Sequence, residues 1–343
     1  MTPTLPLDVN VLIIDWVFRL SQHAMIDYPT LHACALVCRA WTPSAQRLLF
    51  RRILSTSLHY RYCDVQLLVR TLETRPHLAA HVRFIRVAWP LHPPVYGTIC
   101  LRLLELCPRV QGISLWDWQY YNEPVSAELD ARWRAIQLRP VLLEVFSTDS
   151  SINAVVQMCR GVRTLILRAG YSGDALPPTV ESLEIHGGSH CPALSKPLPA
   201  LRALCLLSPK WSSAAAWRLV SRGVLPQLES LVLEGAFPPR EILEQLTQLQ
   251  TLVVDTLPAQ HVPLPPPLRH FGYHAWGQSP VVRGECVVGL LCMLPGLRLV
   301  TVTRGVPHYV RAALERMCRD TGAEFGTYVL RYHFRQPKHV DWI

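Results

Sequence analysis

His186, His190 and Cys191 crowd three metal-capable side chains into the run His-Gly-Gly-Ser-His-Cys, where paired glycines would let the backbone curl around an ion. Imidazole and thiolate are good zinc ligands, but a structural zinc site takes four of them, and no second cluster at zinc-like spacing supplies the rest. The run reads better as a polar loop between repeats, and neither a metal nor another cofactor is expected. Nucleophilic catalysis would need a Ser or Cys with a His and an orienting acid. The sequence has no GxSxG elbow, no papain-like Cys context and no paired-carboxylate motif. Its glycines are isolated, so no GxGxxG or GxxxxGKS loop can cradle a phosphate. The residue chemistry points to a recognition protein that is not an enzyme, with no catalytic residue assigned.

Recognition has clearer carriers. Trp116-Asp117-Trp118-Gln119-Tyr120-Tyr121 follows directly on a strand-like run, and Tyr273, His274 and Trp276 form a smaller cluster. Aromatic side chains are favoured at binding hot spots because they bury much area at little entropic cost. The alternative is a large loop that folds over an edge and buries its own aromatics. With Arg168 from a neighbouring strand, the candidate target contacts are Trp116, Trp118, Tyr120, Tyr121, Arg168, His274 and Trp276.

The elements that must position these residues recur. A pattern of apolar, two others, apolar, one other, apolar appears as Val82-Ile85-Val87, Val110-Ile113-Leu115, Val162-Leu165-Leu167, Val180-Leu183-Ile185, Leu201-Leu204-Leu206, Leu228-Leu231-Leu233, Leu249-Leu252-Val254 and Leu297-Val300-Val302. Leu268-Phe271-Tyr273 is an aromatic variant and Leu138-Val141-Leu143 a blurred one. Successive copies start 18 to 29 residues apart, which straddles the leucine-rich-repeat range. Helix candidates lie between them at 97–107, 127–138, 152–159, 214–221, 240–246 and 287–293. Each strand-plus-helix unit has an apolar face it cannot bury alone, and stacking neighbours closes one continuous core. Alternate strand residues point inward. The intervening ones, among them Phe84, Ser114, Thr164, Arg168, Glu184, Cys205, Val232, Val253 and Thr301, are expected to line an opposite, concave binding face.

Ahead of the repeats, Asp8 precedes Val9, Leu12, Ile13, Trp16, Val17 and Leu20, the spacing of one apolar helix face with an acidic start. Pro29-Thr30 opens a second apolar segment that stops at Trp41, with Thr30 placed to cap it. Thr42-Pro43 opens a third, running through Ile53, with Thr42 as its cap and Pro43 at the first helical position. Three helices in about fifty residues make too small a unit to be very stable alone, so its apolar surface needs a neighbour or a partner.

The string Leu5-Pro6-x-Asp8-Val9, then Leu36-Val37-Cys38-Arg39-x-Trp41 and Arg47-Leu48-Leu49-Phe50-Arg51, closely resembles the F-box, particularly the form abundant in fungi. Leu103-Leu104-x-x-Cys107-Pro108 resembles the helix-to-strand junction of F-box leucine-rich-repeat proteins. The resemblance implies docking on the Skp-type adaptor of a cullin–RING ubiquitin ligase. Leu5, Pro6, Ile13, Leu36, Val37 and Cys38 would contribute the apolar contacts, while Trp41 and Phe50 hold the unit together. It implies a substrate receptor for a protein target that the sequence does not name; the alternative is a scaffold that uses the same F-box without a ligase role.

The expected fold class is α/β: a small three-helix F-box at 1–53, a helical connector or cap at 54–80, an irregular leucine-rich-repeat-like solenoid of alternating short strands and helices at 81–330, and a basic tail at 331–343. Half of the 343 residues are hydrophobic and 17% charged, far from the composition of disordered chains. The net charge of +9 is scattered, mostly as Arg within amphipathic segments, which argues against nucleic acid as the main partner. No apolar run of membrane-spanning length and no secretory pattern at the N-terminus is present. Eleven cysteines without a CxxC pair read as reduced, buried thiols, so a cytoplasmic or nuclear location is expected.

Overall fold

The computed structural model describes residues 9, 12–14, 28–54, 62–89, 94–117, 128, 131–132, 135–136, 139–146, 156, 159, 161–168, 176–187, 194, 196–207, 217, 220, 224–235, 237–256, 264–273, 291, 294, 296–303 and 306–328. Contacts divide the chain into two units, Met1–Leu143 with Asp341–Ile343, and Glu144–Val340. Twelve strands are described, all in one parallel topology whose order is the order of the chain. One strand per repeat, parallel and without crossover, is the arrangement of a repeat solenoid.

In the first unit, a helical stretch that includes Val9 and Leu12 to Ile14 precedes α1 (Tyr28–Val37) and α2 (Thr42–Leu49). Ile14, Leu31, Cys34, Ala45 and Leu48 form one buried cluster, with Tyr28, Ala35, Trp41 and Leu49 packed against it. Three details differ from the sequence expectation. Helix α1 already starts at Tyr28, so Thr30 lies inside it. Thr42 does not cap α2; its hydroxyl donates back to the carbonyls of Ala35 at 2.9 Å and Cys38 at 3.2 Å, tying the α1–α2 turn shut. Helix α2 also ends at Leu49, because Arg52–Leu54 leave it as strand β1, pairing Ile53 with Ile85.

Helices α3 (Tyr62–Thr74) and α4 (Pro76–Ala79) follow, the second with Pro76 in its first turn, where a missing N–H costs nothing. Strand β2 (Phe84–Trp89), α5 (Pro94–Leu106) and β3 (Gly112–Asp117) come next. Leu103, Leu104 and Cys107 at the α5–β3 junction are buried. Strand β4 (Leu142–Phe146) buries Leu143 and Val145 and is preceded by buried Pro140, so the repeat there is Pro140-Leu143-Val145. The blurred triplet at 138–143 was read out of register because Pro occupies an apolar position.

The second unit continues with β5 (Thr164–Leu167), β6 (Ser182–His186), β7 (Ala203–Leu207), β8 (Ser230–Glu234), β9 (Thr251–Val254), β10 (His270–Tyr273), β11 (Leu299–Thr303) and β12 (Glu324–Tyr328). Register aligns Leu165, Leu183, Leu204, Leu231, Leu252, Phe271 and Val300 in one inward row. All seven are buried. Helix α6 (Arg240–Leu243) lies between β8 and β9, and α7 (His308–Thr321) between β11 and β12. Helix α7 ends at Gly322 with φ 74°, a left-handed cap that only glycine adopts without strain.

The second sheet face departs from the expected solvent-lined surface. Ser114, Thr164, Glu184, Cys205, Val232, Val253 and Thr301 are all buried. Strands about 4.8 Å apart bring like-facing side chains into lateral contact, and here Cys205, Leu207, Val232 and Val253 make a cluster of their own. Gly272 leaves room for it: a Cβ there would stand 2.9 Å from Val253 Cγ2 and 3.1 Å from Thr301 Oγ1. Among the described residues no helix is long and apolar enough to cross a membrane.

Candidate functional site

Two places gather side chains that could recognise a partner, one in each unit. In the first, the helices that bury Ile14, Leu31 and Cys34 turn other apolar side chains outward. Leu12 is 66% exposed, Ile13 37%, Leu36 73% and Val37 64%, and the Cys38 thiol is exposed at the end of α1. Helical periodicity explains this: residues one and two positions from a buried residue point away from it, so Leu31 and Cys34 face in while Leu36 and Val37 face out. Such residues would normally be polar on a helix's outer face. Of the expected adaptor contacts, Ile13, Leu36, Val37 and Cys38 are on this surface; Leu5 and Pro6 lie outside the described residues.

The second place is centred on Arg168, just after β5. Its Nε stands 3.0 Å from Glu144 Oε1 and its Nη1 3.1 Å from Glu184 Oε1, and its guanidinium lies 5.7 Å from the centroid of the Phe146 ring. His186 contacts both Arg168 and Glu184 through its ring nitrogens: the Nε2–H tautomer donates to the carboxylate and the Nδ1–H tautomer accepts from the guanidinium. Glu144 and Glu184 are buried, which an ionised carboxylate tolerates only when paired. Arg168 is thus held inside the chain rather than presented free. The ring nitrogens of His186 are engaged by these partners, while His190 and Cys191 lie outside the described residues, as do Trp118, Tyr120, Tyr121, His274 and Trp276. Trp116 is in β3, and nothing is described of its side chain.

What this network can do chemically is limited. Cys205 pairs with Glu184 across β6 and β7, which brings a thiol beside a His–Glu pair. Burial first, and the Glu184 charge next, push that thiol well above its ordinary value, the opposite of what a thiolate nucleophile needs. Burial likewise raises Cys100, Cys107 and Cys159 to about 12. Across the same face, Glu234 and Asp255 titrate above the usual carboxylate range through burial, and for Glu234 also through the neighbouring Asp255 charge. Asp255 Oδ1 accepts from the Gly235 N–H at 2.7 Å and from the Thr256 hydroxyl at 3.0 Å, which fixes its position.

No family model matches the chain. No curated protein matches it either. Among solved structures it is similar to the crystal structure of a structural-genomics target from Bacteroides fragilis, at 14% identity and a TM-score of 0.39, covering 81% of this chain and 73% of that one. That likeness carries no functional argument.

The sequence reading found the outward residues of α1 through the resemblance it drew. It missed the Arg168–Glu144–Glu184–His186 network as a unit, although a charged residue at every repeat's outward position was visible. The missing step was that adjacent strands bring residues 16 to 24 positions apart within hydrogen-bond reach.

Proposed function

We propose that this chain is the substrate-receptor subunit of an SCF-type cullin–RING ubiquitin ligase, in which an F-box formed by the N-terminal helices docks on the Skp-type adaptor and the leucine-rich-repeat-like region holds a protein target. The observation that carries the reading is the outward apolar set Leu12, Ile13, Leu36 and Val37 on a helical unit whose own core is already filled by Ile14, Leu31, Cys34, Ala45 and Leu48. An apolar patch that a small unit cannot bury itself marks a protein-binding surface. Cys38, exposed beside Val37, and Leu5-Pro6 of the F-box-like string complete the proposed contact set. The chain itself does no bond chemistry in this reading. It raises the effective concentration of the target beside the ligase's catalytic subunits.

Co-expression with the Skp-type adaptor and cullin tests the proposal. Wild type is expected to co-purify with both, and the Leu36→Asp/Val37→Asp variant with neither. Failure of wild type to associate, under conditions where an established F-box protein does, would overturn it.

A further inference from the structure

In the second unit one residue stands just ahead of each strand, and its carbonyl accepts N–H groups from the next repeat. Arg163 accepts from Glu181, Glu181 from Arg202, Arg202 from Glu229, Glu229 from Gln250, Gln250 from Arg269 and Arg269 from Arg298, each at 2.8 or 2.9 Å. The positions are therefore equivalent, and their side chains stand in a row at the strand spacing of about 4.8 Å. The first four alternate in sign and pair: Arg163 Nε is 3.7 Å from Glu181 Oε1, and Arg202 Nε is 3.8 Å from Glu229 Oε1. Arg202 also donates to the carbonyls of Pro199 and Leu201, both at 3.2 Å.

The alternation then stops. Gln250 is neutral, and Arg269 and Arg298 occupy consecutive positions, both exposed. Neither forms an ion pair or a side-chain hydrogen bond among the described residues. Like charges directly opposite one another repel, and an anion placed between them removes that penalty. The row itself indicates which anion suits it, because the equivalent arginines upstream take glutamate carboxylates. We infer that the Arg269–Arg298 edge, flanked by the Gln250 amide, is a docking surface for an acidic, carboxylate-bearing extended segment of a partner protein. Alternate side chains of an extended segment are spaced at about 6.8 Å, within reach of two flexible arginines on neighbouring positions. Guanidinium groups meet carboxylates in a two-bond fork, which gives the contact direction as well as charge. The inference uses none of the residues that would contact the adaptor, so it stands or falls separately from adaptor docking.

Fluorescence anisotropy on the full chain tests it, with a fluorescein-labelled alternating Glu-Ala peptide, an alternating Gln-Ala control, and about 50 mM salt so that screening is weak. Arg269→Gln/Arg298→Gln is compared with the charge-matched Arg163→Gln/Arg202→Gln, and matched melting temperatures establish that both fold. The expected result is binding of the Glu-Ala peptide to wild type and to R163Q/R202Q with similar Kd, weakened roughly tenfold in R269Q/R298Q, and no binding of Gln-Ala. No binding of the Glu-Ala peptide to wild type, equal loss in the two double variants, no loss in R269Q/R298Q, or equal affinity for Gln-Ala would each overturn the inference. So would full displacement of the peptide by an equimolar amount of inorganic phosphate, which would make the site one for phosphate rather than carboxylate.

Discussion

Replacing Arg168 by Met removes the positive charge that Glu144 and Glu184 share while keeping most of the side chain's bulk over Phe146. Both carboxylates are about one-tenth exposed, and Arg168 reaches them at 3.0 and 3.1 Å. After the change Glu184 keeps only His186, and Glu144 loses an ionic partner. Removing one side of a buried pair costs about 3–5 kcal/mol, because the remaining charge stays desolvated. A domain of this size loses roughly 2–4 °C per kcal/mol, so the melting temperature at neutral pH should fall on the order of 10 °C. The sign of the pH dependence follows. Without the guanidinium, burial raises the carboxyl pKa of the folded state above that of the unfolded state, so the folded state binds more protons and stability falls as pH rises. The R168M deficit should therefore shrink when thermal unfolding is measured at about pH 5 instead of about pH 7. The triple variant R168M/E144M/E184M, which leaves no charge to desolvate, should recover most of the loss. An R168M variant melting within a degree or two of wild type at neutral pH, or with the same deficit at both pH values, would refute the reasoning.

Other expectations test separate parts of the molecule. Asp255→Asn should flatten the pH dependence: Glu234 and Asp255 both titrate high in the fold, so wild type loses stability as pH rises through their raised values, and removing one charge should stabilise it by up to about 1 kcal/mol at neutral pH after solvent screening. Differential scanning calorimetry across pH reads this, and a steeper profile would contradict it. Gly272→Ala should cost about 1–3 kcal/mol in urea unfolding, because the added methyl meets Val253 and Thr301 at 2.9 to 3.1 Å. Leu31→Ala should destabilise the N-terminal helices by about 2–5 kcal/mol, seen as earlier proteolysis before β1, since Leu31 is fully buried in their core.

How much of this was legible in the residues depends on where the information lies. The inward rows were readable because burial between neighbouring repeats leaves few options but Leu, Ile and Val at Leu165, Leu183, Leu204, Leu231 and Leu252. Strand β1 escaped notice because Arg52-Ile53-Leu54 has one inward residue and follows α2 with a two-residue break. Strand β12 escaped because its inward positions hold Phe325 and Thr327, which are not fully buried. The outward face was misjudged for a different reason: period-two alternation separates two faces but does not say that the second is dry. That follows from the lateral neighbours Cys205, Val232 and Val253, which depend on register. The charged network at Arg168 and the bare pair Arg269–Arg298 likewise exist only once the repeats are aligned.

The central claim is that the outward residues of the N-terminal helices are an adaptor-docking surface. Isothermal titration of purified Skp-type adaptor into the full chain, for wild type and for Leu36→Asp/Val37→Asp with matched melting temperatures, measures it most directly. The account predicts a stable complex with wild type, with Kd in the range of about 1 µM or tighter, and loss of binding by roughly a hundredfold or more in the variant, since each aspartate would bury a charge in an apolar interface. Wild type that does not bind, or a variant that binds as tightly as wild type, would contradict it.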